Sequence, residues 1–599
     1  MILSQIKSKL VVYGTLWAIG TTLLVLDYLS PFQASISNAQ FWVGILFCMI
    51  PALFLLLDNT FSWRVKAFVL FIWGSTLYLP NVLRSPYFFN FQDAIYHFQT
   101  LQLIYQTHTL AINSTVPQIS ISYPGLELLG VALKSVTGLP LFSTAILLIG
   151  LVHSLEPVLI FLIIKRITSS DRVAAIGGFI FTCNLSYIFF DSLFSYESLG
   201  ILFVIILVFL VSEIFKAEKR WRAPSRTFLL LSLVVLSGLV ITHHFSAYMF
   251  LIFLAVLVIV QFSENFISKK RVAEKSFIYF LLLAATIVFA WQIYGAPITF
   301  EYLHGILANY INSFLKFFAP GGSGQRALFV HSSLPNYEIF IDYLYFPLIL
   351  LLSGIGVYFV HKSKIRNTMI YILILYGSLI ILVLPFILIG NPEIAYRSMP
   401  FLFIGLSLVI AYAVNGMIRQ RNLLVKVIAL TLVILIAIGG ISIYSDSSGR
   451  FAGSSNLASG PAAVTSDVIS ASNWFAQEFG RYNNIVGDIT VYIVFGGYGV
   501  QNVATYDAWN VFYPTTMNAT VTQTLATLNT KYIIVDIRIT EYLAKYGYYF
   551  DSSELNVKNL PNYGVTEPLP VESIDKFDNT TLLNKIYSNG NINIYRINP

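Results

Sequence analysis

A carboxylate and an imidazole lie four residues apart near the start of a long polar stretch, residues 84–127. Asp93 and His97 share one face of any helix formed there, and Tyr96 lies beside them. A carboxylate can take a proton from a hydroxyl group, and an imidazole can give or take one at neutral pH. We therefore predict catalytic roles for Asp93 and His97 and a substrate contact for Tyr96. The alternative is structural, because an aspartate in this place could simply cap a helix.

The chain around this stretch has the composition of a membrane protein. Of its 599 residues, 56% are hydrophobic and 11% are charged, and its mean hydropathy is +0.73. A soluble protein carries about 25% charged residues, so most of this chain belongs in lipid. We predict a polytopic α-helical membrane protein with about 13 transmembrane helices. These are placed at 10–29, 41–57, 67–83, 139–164, 173–190, 198–215, 227–242, 246–262, 276–294, 341–360, 368–390, 398–417 and 427–444.

The basic residues orient these helices. Alternate loops hold 22 Lys and Arg residues, and the other loops before the tail hold 5. By the positive-inside rule, the N-terminus is cytoplasmic, and the stretch 84–138 and the C-terminal tail are extracytoplasmic. The net charge of +7 therefore reflects topology, and we predict no nucleic-acid partner. Cys48 and Cys183 both lie in apolar segments, which predicts neither a disulfide framework nor a metal site.

The sequence divides into a membrane part and a soluble tail. Residues 1–444 form the predicted transmembrane catalytic domain, with the outside loop 84–138, and the stretch 123–139 is predicted as a helix in the outer interface. Residues 445–465 are rich in Ser, Gly and Ala, as in a linker, and 466–599 are predicted as an extracytoplasmic α/β domain. We expect a helix at 466–479, strands at 489–495 and 532–537, and a closing hairpin at 586–597 around Asn589 and Gly590.

Further acids recur on the predicted outer face. Asp191 and Glu197 lie in a very short turn between two apolar segments, at hydrocarbon depth or just above it. An ionisable group at that depth is costly and is a functional candidate. The alternative is that both acids end helices and touch water. Glu156 interrupts another apolar span, where His153 one turn earlier could satisfy it.

Two later outside turns carry imidazoles and a guanidinium. His243 and His244 are adjacent, so they do not share a helix face, and lining of a polar cavity is favoured over metal binding. Arg397 is the one basic residue of its outside turn. A guanidinium suits bidentate contact with a phosphate, and the alternative is snorkelling to lipid headgroups. We predict substrate contacts for Asp191, His243, His244 and Arg397.

Together these residues predict a chemistry. A carboxylate could deprotonate an acceptor hydroxyl, while a cation stabilises a departing phosphate. This combination suits transfer of a sugar from a lipid phosphate at the outer leaflet, with Glu197 joining Asp93 and His97 among the predicted catalytic residues.

The chain resembles the GT-C superfamily of polyprenyl-phosphate-dependent glycosyltransferases. The superfamily includes protein mannosyltransferases, the aminoarabinose transferase of lipid A and oligosaccharyltransferase catalytic subunits. The resemblance is carried by Asp93 in Gln-Asp-Ala-Ile-Tyr-His, by Tyr-Pro-Gly at 123–125, by Asp191 and Glu197 in a short outside loop, and by the outside C-terminal domain.

This resemblance implies an inverting glycosyltransferase. Its donor is a sugar linked to a polyprenyl phosphate, and its acceptor is a lipid-linked glycan, a surface polymer or a protein. Asp93 would be the general base or an acceptor-site residue, and Arg397 a contact of the donor phosphate. The first loop lacks Asp-x-Asp, which leaves the need for a divalent metal ion open. The tail lacks Trp-Trp-Asp-x-Gly, which argues against an oligosaccharyltransferase that recognises sequons.

Two other classes of function compete with this reading. A transporter or lipid-linked-sugar flippase would use its intramembrane acids as a proton or substrate path, but such proteins usually show midplane charges and repeated halves. A non-catalytic scaffold with a partner-binding tail would tolerate the loss of Asp93, whereas the enzyme would not.

Overall fold

The structure is a computed structural model in which the chain forms two compact units. It describes residues 2–29, 34–112, 115, 117–219, 226–268, 275–318, 335–363, 367–388, 393–442, 457, 463–544, 547–558 and 560–598. The membrane unit comprises Met1–Arg84, Ser122–Leu129 and Ser143–Phe451. The tail unit comprises Ser85–Ile121, Gly130–Phe142 and Ala452–Pro599. Much of the first outside loop therefore belongs to the same compact unit as the C-terminal tail.

Long helices dominate the first three quarters of the chain. They are α1 (Ile2–Leu29), α2 (Ala34–Leu57), α3 (Trp63–Arg84), α4 (Gln92–Thr107), α5 (Gln118–Ile121), α6 (Gly125–Thr137), α7 (Leu141–Thr168), α8 (Asp171–Phe181), α9 (Tyr196–Lys219), α10 (Arg226–Val240), α11 (His244–Ser268), α12 (Lys275–Tyr294), α13 (Ile298–Phe318), α14 (Asn336–Lys362), α15 (Thr368–Ser378), α16 (Ile380–Leu388), α17 (Glu393–Ile418) and α18 (Leu423–Ser442). Within the described residues, 11 helical segments are long and apolar enough to cross a membrane, and α10 is a shorter apolar helix. The predicted class of polytopic helical membrane protein is confirmed.

The predicted span 173–190 does not form one helix. The helix α8 ends at Phe181, because polar side chains beyond it take up its last carbonyl groups. The Thr182 hydroxyl donates to the Phe179 carbonyl at 2.7 Å, and the Asn184 amide donates to the Phe181 carbonyl at 2.9 Å. Such bonds compete with the helical ladder, and the chain continues in turns up to α9. The structure also adds a helix that sequence analysis did not place, α13.

The helix α17 lies deep in the membrane unit. In its apolar window, 83% of the residues are buried. Small residues let its backbone approach its neighbours, since a Cβ on Gly405 would collide with the backbone of α15 at Leu373 and Gly377. Close approach through small residues is how helices associate in a membrane, where lipid offers no hydrophobic driving force between them. This packing holds the second turn of α17, which carries Arg397, against α9.

The tail unit contains a five-stranded mixed sheet. Its strands are β1 (Asn484–Val486), β2 (Asn502–Ala504), β3 (Tyr532–Asp536), β4 (Leu583–Ser588) and β5 (Ile592–Ile597), in the order β2-β1-β3-β5-β4. The strand β1 is parallel to β2 and β3, and β5 is antiparallel to β3 and β4. Its helices are α19 (Ser466–Phe479), α20 (Ile489–Gly497), α21 (Trp509–Phe512), α22 (Ala519–Thr527) and α23 (Glu572–Asp575).

Most predicted elements of the tail are confirmed, and one is wrong. The helix at 466–479, the strand at 532–536 and the hairpin are present, with Gly590 at a φ of 96° in the turn. The predicted strand 489–495 is instead the helix α20. Asp488 caps this helix by accepting a hydrogen bond from the amide of Val491 at 2.8 Å, and this outweighs the β-branched residues of the segment. The predicted linker 445–465 lies outside the described residues except for 457 and 463–465.

The loop that the sequence predicts to lie outside joins the tail unit through α4. The Gln99 side chain donates to the Gly496 carbonyl at the end of α20, at 2.5 Å. The Tyr498 hydroxyl donates to the Phe89 carbonyl at 2.9 Å and accepts from the Phe89 amide at 2.7 Å. These bonds tie the residues around Asp93 to the core of the tail unit.

Candidate functional site

Five of the predicted site residues lie at helix ends in the membrane unit. Asp191 lies in a single 3-10 turn, Phe190–Ser192, and Glu197 in the first turn of α9. His243 immediately precedes α11, which begins at His244, and Arg397 lies in the second turn of α17.

The Glu197 carboxylate is the centre of this group. One of its oxygens, Oε2, lies 3.6 Å from Nη1 of Arg397 and 3.9 Å from Nε2 of His243. The Glu197 side chain is 2% exposed and that of His243 is fully buried, whereas that of Arg397 is 23% exposed. A buried carboxylate without a partner charge is costly, and the Arg397 guanidinium supplies that charge to Glu197. Glu197 and Arg397, which lie 200 residues apart in the sequence, thus do meet.

A glycine and a serine hold His243 against Glu197. A Cβ on Gly200, one turn after Glu197, would meet the Ser246 hydroxyl and the His243 side chain, so only glycine lets α9 approach α11 this closely. The Ser246 hydroxyl lies 2.7 Å from Nδ1 of His243. The Tyr196 ring packs on the imidazole at 4.4 Å between centroids. The imidazole is therefore fixed from three sides, with Nε2 directed at Glu197.

The Tyr-Pro-Gly motif packs on the histidine turn. The amide of Gly125 donates to the Ile241 carbonyl at 3.0 Å, and a Cβ at this glycine would collide with Thr242. The Tyr123 ring lies 5.3 Å from the His244 ring, and its hydroxyl bonds that of Thr299 at 2.8 Å. His244 thus forms part of a wall of aromatic and hydroxyl groups, and its predicted role in lining a polar cavity stays a prediction.

Three residues of this wall were missed by sequence reasoning. Ser246 follows His243 by three residues, a helical spacing that could have indicated the contact. Thr299 and Tyr302, whose ring lies 5.7 Å from that of His244, come from the start of α13, which periodicity did not predict.

The guanidinium of Arg397 has donors enough to bind an anion. Its Cζ lies 5.2 Å from the centre of the Phe190 ring, a cation–π contact that orients the planar group. A guanidinium carries five N–H donors, so it can contact Glu197 and still donate to a second anion. This geometry favours phosphate recognition over snorkelling as the role of Arg397.

Asp191 carries a fully buried carboxyl group. Its amide donates to the Ser186 carbonyl at 2.9 Å, but its carboxyl oxygens have no hydrogen-bond partner among the described residues. Its charge interacts with that of Glu197 and with that of Glu156, a fully buried residue in the middle of α7. His153 does not satisfy Glu156, because its ring nitrogens bond the Gly74 and Tyr187 carbonyls at 3.1 and 2.7 Å. Asp191 is therefore close enough to interact electrostatically with one acid of α9 and with one acid of α7.

Asp93, Tyr96 and His97 lie on α4 in the tail unit. Asp93 is exposed in the first turn, and the N-cap position, Phe91, makes no side-chain cap bond. His97 is fully buried, while the Tyr96 hydroxyl accepts from the Gln92 amide at 2.9 Å. Burial raises the pKa of Tyr96. The helix is confirmed, but Asp93 and His97 differ fully in exposure despite their spacing, and their roles stay predictions.

The described residues also bear on metal binding. Among them, no group of three or more His, Cys, Asp and Glu side chains is placed to hold a metal ion. The need for a divalent metal ion therefore stays open, as the sequence left it.

No protein-family model and no curated protein matches the chain. A solved structure is similar to it: ArnT from Cupriavidus metallidurans bound to undecaprenyl phosphate, with a TM-score of 0.42 and 9% sequence identity. The match covers 89% of this chain and 97% of ArnT. The chain is thus similar in fold to ArnT over most of its length.

Proposed function

We propose that the chain is an integral membrane glycosyltransferase. It moves a sugar from a polyprenyl-phosphate donor to an extracytoplasmic acceptor, which is a lipid-linked glycan, a surface polymer or a protein. The observation that carries this proposal is the Glu197 carboxylate, which lies within 4 Å of both the Arg397 guanidinium and the His243 imidazole. Buried acids and a partly exposed cation at helix ends form a site for an anionic substrate at a membrane boundary.

Arg397 is the proposed contact of the donor phosphate. When the bond between the sugar C1 and the phosphate oxygen breaks, the phosphate gains negative charge, and a guanidinium already in place stabilises it without reorganisation. Glu197 keeps Arg397 in position, and His243, fixed by Ser246, supports Glu197 in turn. Glu197 is too buried to meet an incoming acceptor easily, so positioning suits it better than proton abstraction.

Asp93 is the proposed general base. Its carboxylate is exposed at the start of a rigid helix, which is what proton abstraction from an acceptor hydroxyl requires. The acceptor oxygen forms a bond to C1 on the face opposite the leaving phosphate, and its proton passes to the carboxylate. The configuration at C1 is thereby inverted. His97 and Tyr96 are proposed to support Asp93 and the substrate from the following turn.

The proposal also covers the carrier lipid of the donor, the orientation of the chain and its location in the cell. Undecaprenyl phosphate is bound to ArnT in its structure, and a carrier of that class is proposed for this chain because Arg397 fits a phosphate. We propose that the protein is a multi-pass protein of the cell membrane, with a cytoplasmic N-terminus and an extracytoplasmic tail.

The test uses the full chain in liposomes and a panel of lipid-phosphate sugars. Release of polyprenyl phosphate is measured for the native chain, Asp93→Asn and Arg397→Gln. Asp93→Asn should lose turnover by about 10²-fold or more while donor binding survives. Arg397→Gln should weaken donor binding as well. Glu301→Gln, at an exposed acid in the first turn of α13, is the matched control for Asp93, and Arg397→Lys keeps the charge without the fork. Turnover of Asp93→Asn equal to that of the control would remove Asp93 as the base.

The buried acids favour a second candidate, a transporter or flippase. Glu156 lies in the middle of α7 and interacts with Asp191, as in a proton path. The same liposomes distinguish the two functions, since a transporter would move the lipid-linked sugar across the bilayer without breaking the sugar–phosphate bond. Flux that Glu156→Gln abolishes, without release of polyprenyl phosphate, would establish the transporter.

A further inference from the structure

The membrane unit contains a cavity at the opposite end of α9 from Glu197. Glu213 lines this cavity, 16 residues after Glu197 and thus about 24 Å away along the helix axis. The cavity has a volume of about 580 Å³. It is lined by Trp63, Leu162, Lys165, Arg166, Ser169, Asp171, Phe209, Glu213 and Phe228.

The lining residues come from one end of five helices. They lie at the starts of α3, α8 and α10, in the last two turns of α7, and near the end of α9. This end of the bundle is where the sequence concentrates Lys and Arg, including five between 216 and 226. The cavity is therefore at the membrane boundary that the positive-inside rule assigns to the cytoplasm.

The two cations of the cavity, Lys165 and Arg166, are held by neighbouring acids but keep N–H donors that these acids do not use. Nε and Nη2 of Arg166 donate to the two carboxylate oxygens of Glu213 at 2.6 and 2.8 Å. Nζ of Lys165 donates to Asp171 at 2.5 Å and lies 4.9 Å from the centre of the Trp63 ring. A guanidinium has five N–H donors and an ammonium three, so both groups keep donors beyond these bonds. Both oxygens of Glu213, by contrast, already accept.

Exposure places these donors at the opening. The Arg166 side chain is 54% exposed and that of Lys165 is 29% exposed, whereas that of Glu213 is only 9% exposed. The buried Glu213 carboxylate thus contacts the guanidinium of Arg166 on its buried side, and the remaining N–H groups of Arg166 are on the exposed side. The excess of donors over free acceptors selects a ligand that is rich in acceptor oxygens, such as a phosphate.

The apolar part of the lining indicates that the phosphate belongs to a lipid. Trp63, Leu162, Phe209 and Phe228 form the remaining wall, and Trp63 is 38% exposed. Tryptophan at a helix start favours the headgroup region of a bilayer, and basic pockets between helices on the cytoplasmic side suit anionic headgroups. A soluble phosphate compound would gain nothing from an aromatic and leucine wall, whereas a lipid would bury its glycerol and upper acyl carbons there.

We infer that this cavity binds the phosphodiester headgroup of an anionic phospholipid from the leaflet opposite the proposed donor site. The phosphate bridges Lys165 and Arg166, with the Ser169 hydroxyl as a further donor, and the upper acyl chain packs on the aromatic wall. This site is independent of the proposed glycosyl transfer and would exist in a transporter as well.

The test measures lipid retention by the full chain in native mass spectrometry, with phosphatidylglycerol and phosphatidylcholine as probes. Arg166→Gln combined with Glu213→Gln is the informative variant, because it removes the ion pair without changing the net charge or leaving a buried charge unpaired. Retention of phosphatidylglycerol should fall about tenfold. The control, Arg419→Gln with Arg421→Gln, removes two exposed charges that follow the end of α17, and this variant should still retain phosphatidylglycerol. In a second measurement, brominated phosphatidylglycerol should quench tryptophan emission, and Trp63→Phe should reduce that quenching by the share that Trp63 contributes among the eight tryptophans.

Three results would overturn the inference. Unchanged retention by the charge-neutral double variant would show that the cavity is not the site. Equal retention of phosphatidylcholine would show that the headgroup charge is not recognised. Displacement of phosphatidylglycerol by an excess of inorganic phosphate would identify a soluble anion as the ligand instead of a lipid.

Discussion

Replacing Asp488 by asparagine should make the tail unit more stable at neutral pH. Asp488 is 2% exposed and follows β1, where it caps α20 through the amide of Val491. It faces the Asp536 carboxylate and the Arg538 guanidinium, which are paired with each other at 2.6 Å. Burial, with the charge of Asp536, raises the pKa of Asp488 to about 8 from its ordinary value of 3.8.

The sign and size follow from this raised pKa. Between about pH 4 and about pH 8, the unfolded chain loses the proton of Asp488 while the folded tail unit keeps it. The folded state then binds one proton more, so the free energy of unfolding falls by about 1.4 kcal/mol per pH unit as the pH rises. At pH 7 the loss is on the order of 4 kcal/mol. Asparagine caps a helix as well as aspartate does but does not titrate, so Asp488→Asn removes the slope.

Hydrogen exchange on the full chain measures this effect. After correction for intrinsic exchange, the amides of α20 and β3 should lose protection in the native chain from about pH 5 to about pH 8, whereas Asp488→Asn should keep it. Asn518→Asp is the matched control, because Asn518 caps α22 at an exposed position and the new carboxylate is solvated. Parallel pH profiles for the native chain and Asp488→Asn would refute the reasoning.

Three further changes test the packing around the sites. Gly125→Ala should destabilise the membrane unit by about 1–3 kcal/mol, because the new Cβ would collide with Thr242. Gly354→Ala is the control, since a Cβ at that position has no atom within 4 Å and should leave the stability unchanged. Thermal melting in detergent compares the two variants. Glu554→Ala should lower the free energy of unfolding of the tail unit by about 2–3 kcal/mol, as measured by denaturant unfolding. The reason is that the Phe550 amide, at 2.8 Å, and the Tyr513 hydroxyl, at 3.0 Å, lose their acceptor. Glu554→Gln keeps an acceptor oxygen, so an equal loss in that variant would contradict the prediction. Glu197→Gln should raise the donor KM about tenfold by releasing Arg397, and an unchanged KM with lower kcat would assign Glu197 to the chemistry instead.

Hydrophobic length and charge asymmetry predict most of the membrane helices, because both properties are local to the sequence. They fail where side-chain chemistry ends a helix early, as Thr182 and Asn184 do after α8, and where an amphipathic segment such as α13 lacks a continuous apolar run. In the tail, a short β-branched run flanked by polar residues predicted a strand at 489–495. A cap at Asp488 and burial on several faces made it a helix, since strand propensity depends on the surroundings of a residue more than on its type.

The site residues were predictable one by one, but their pairing was not. Glu197 and Arg397 are 200 residues apart in the chain, and nothing in either neighbourhood says that they meet. What brings them and His243 together is close helix packing, which at α9 and α11 depends on Gly200. In a sequence, a glycine in an apolar span indicates only a position that weakens the helix. In this structure a Cβ at Gly200 would collide with Ser246 and His243. Gly200, one turn after Glu197, therefore marks where α9 brings Glu197 close to α11.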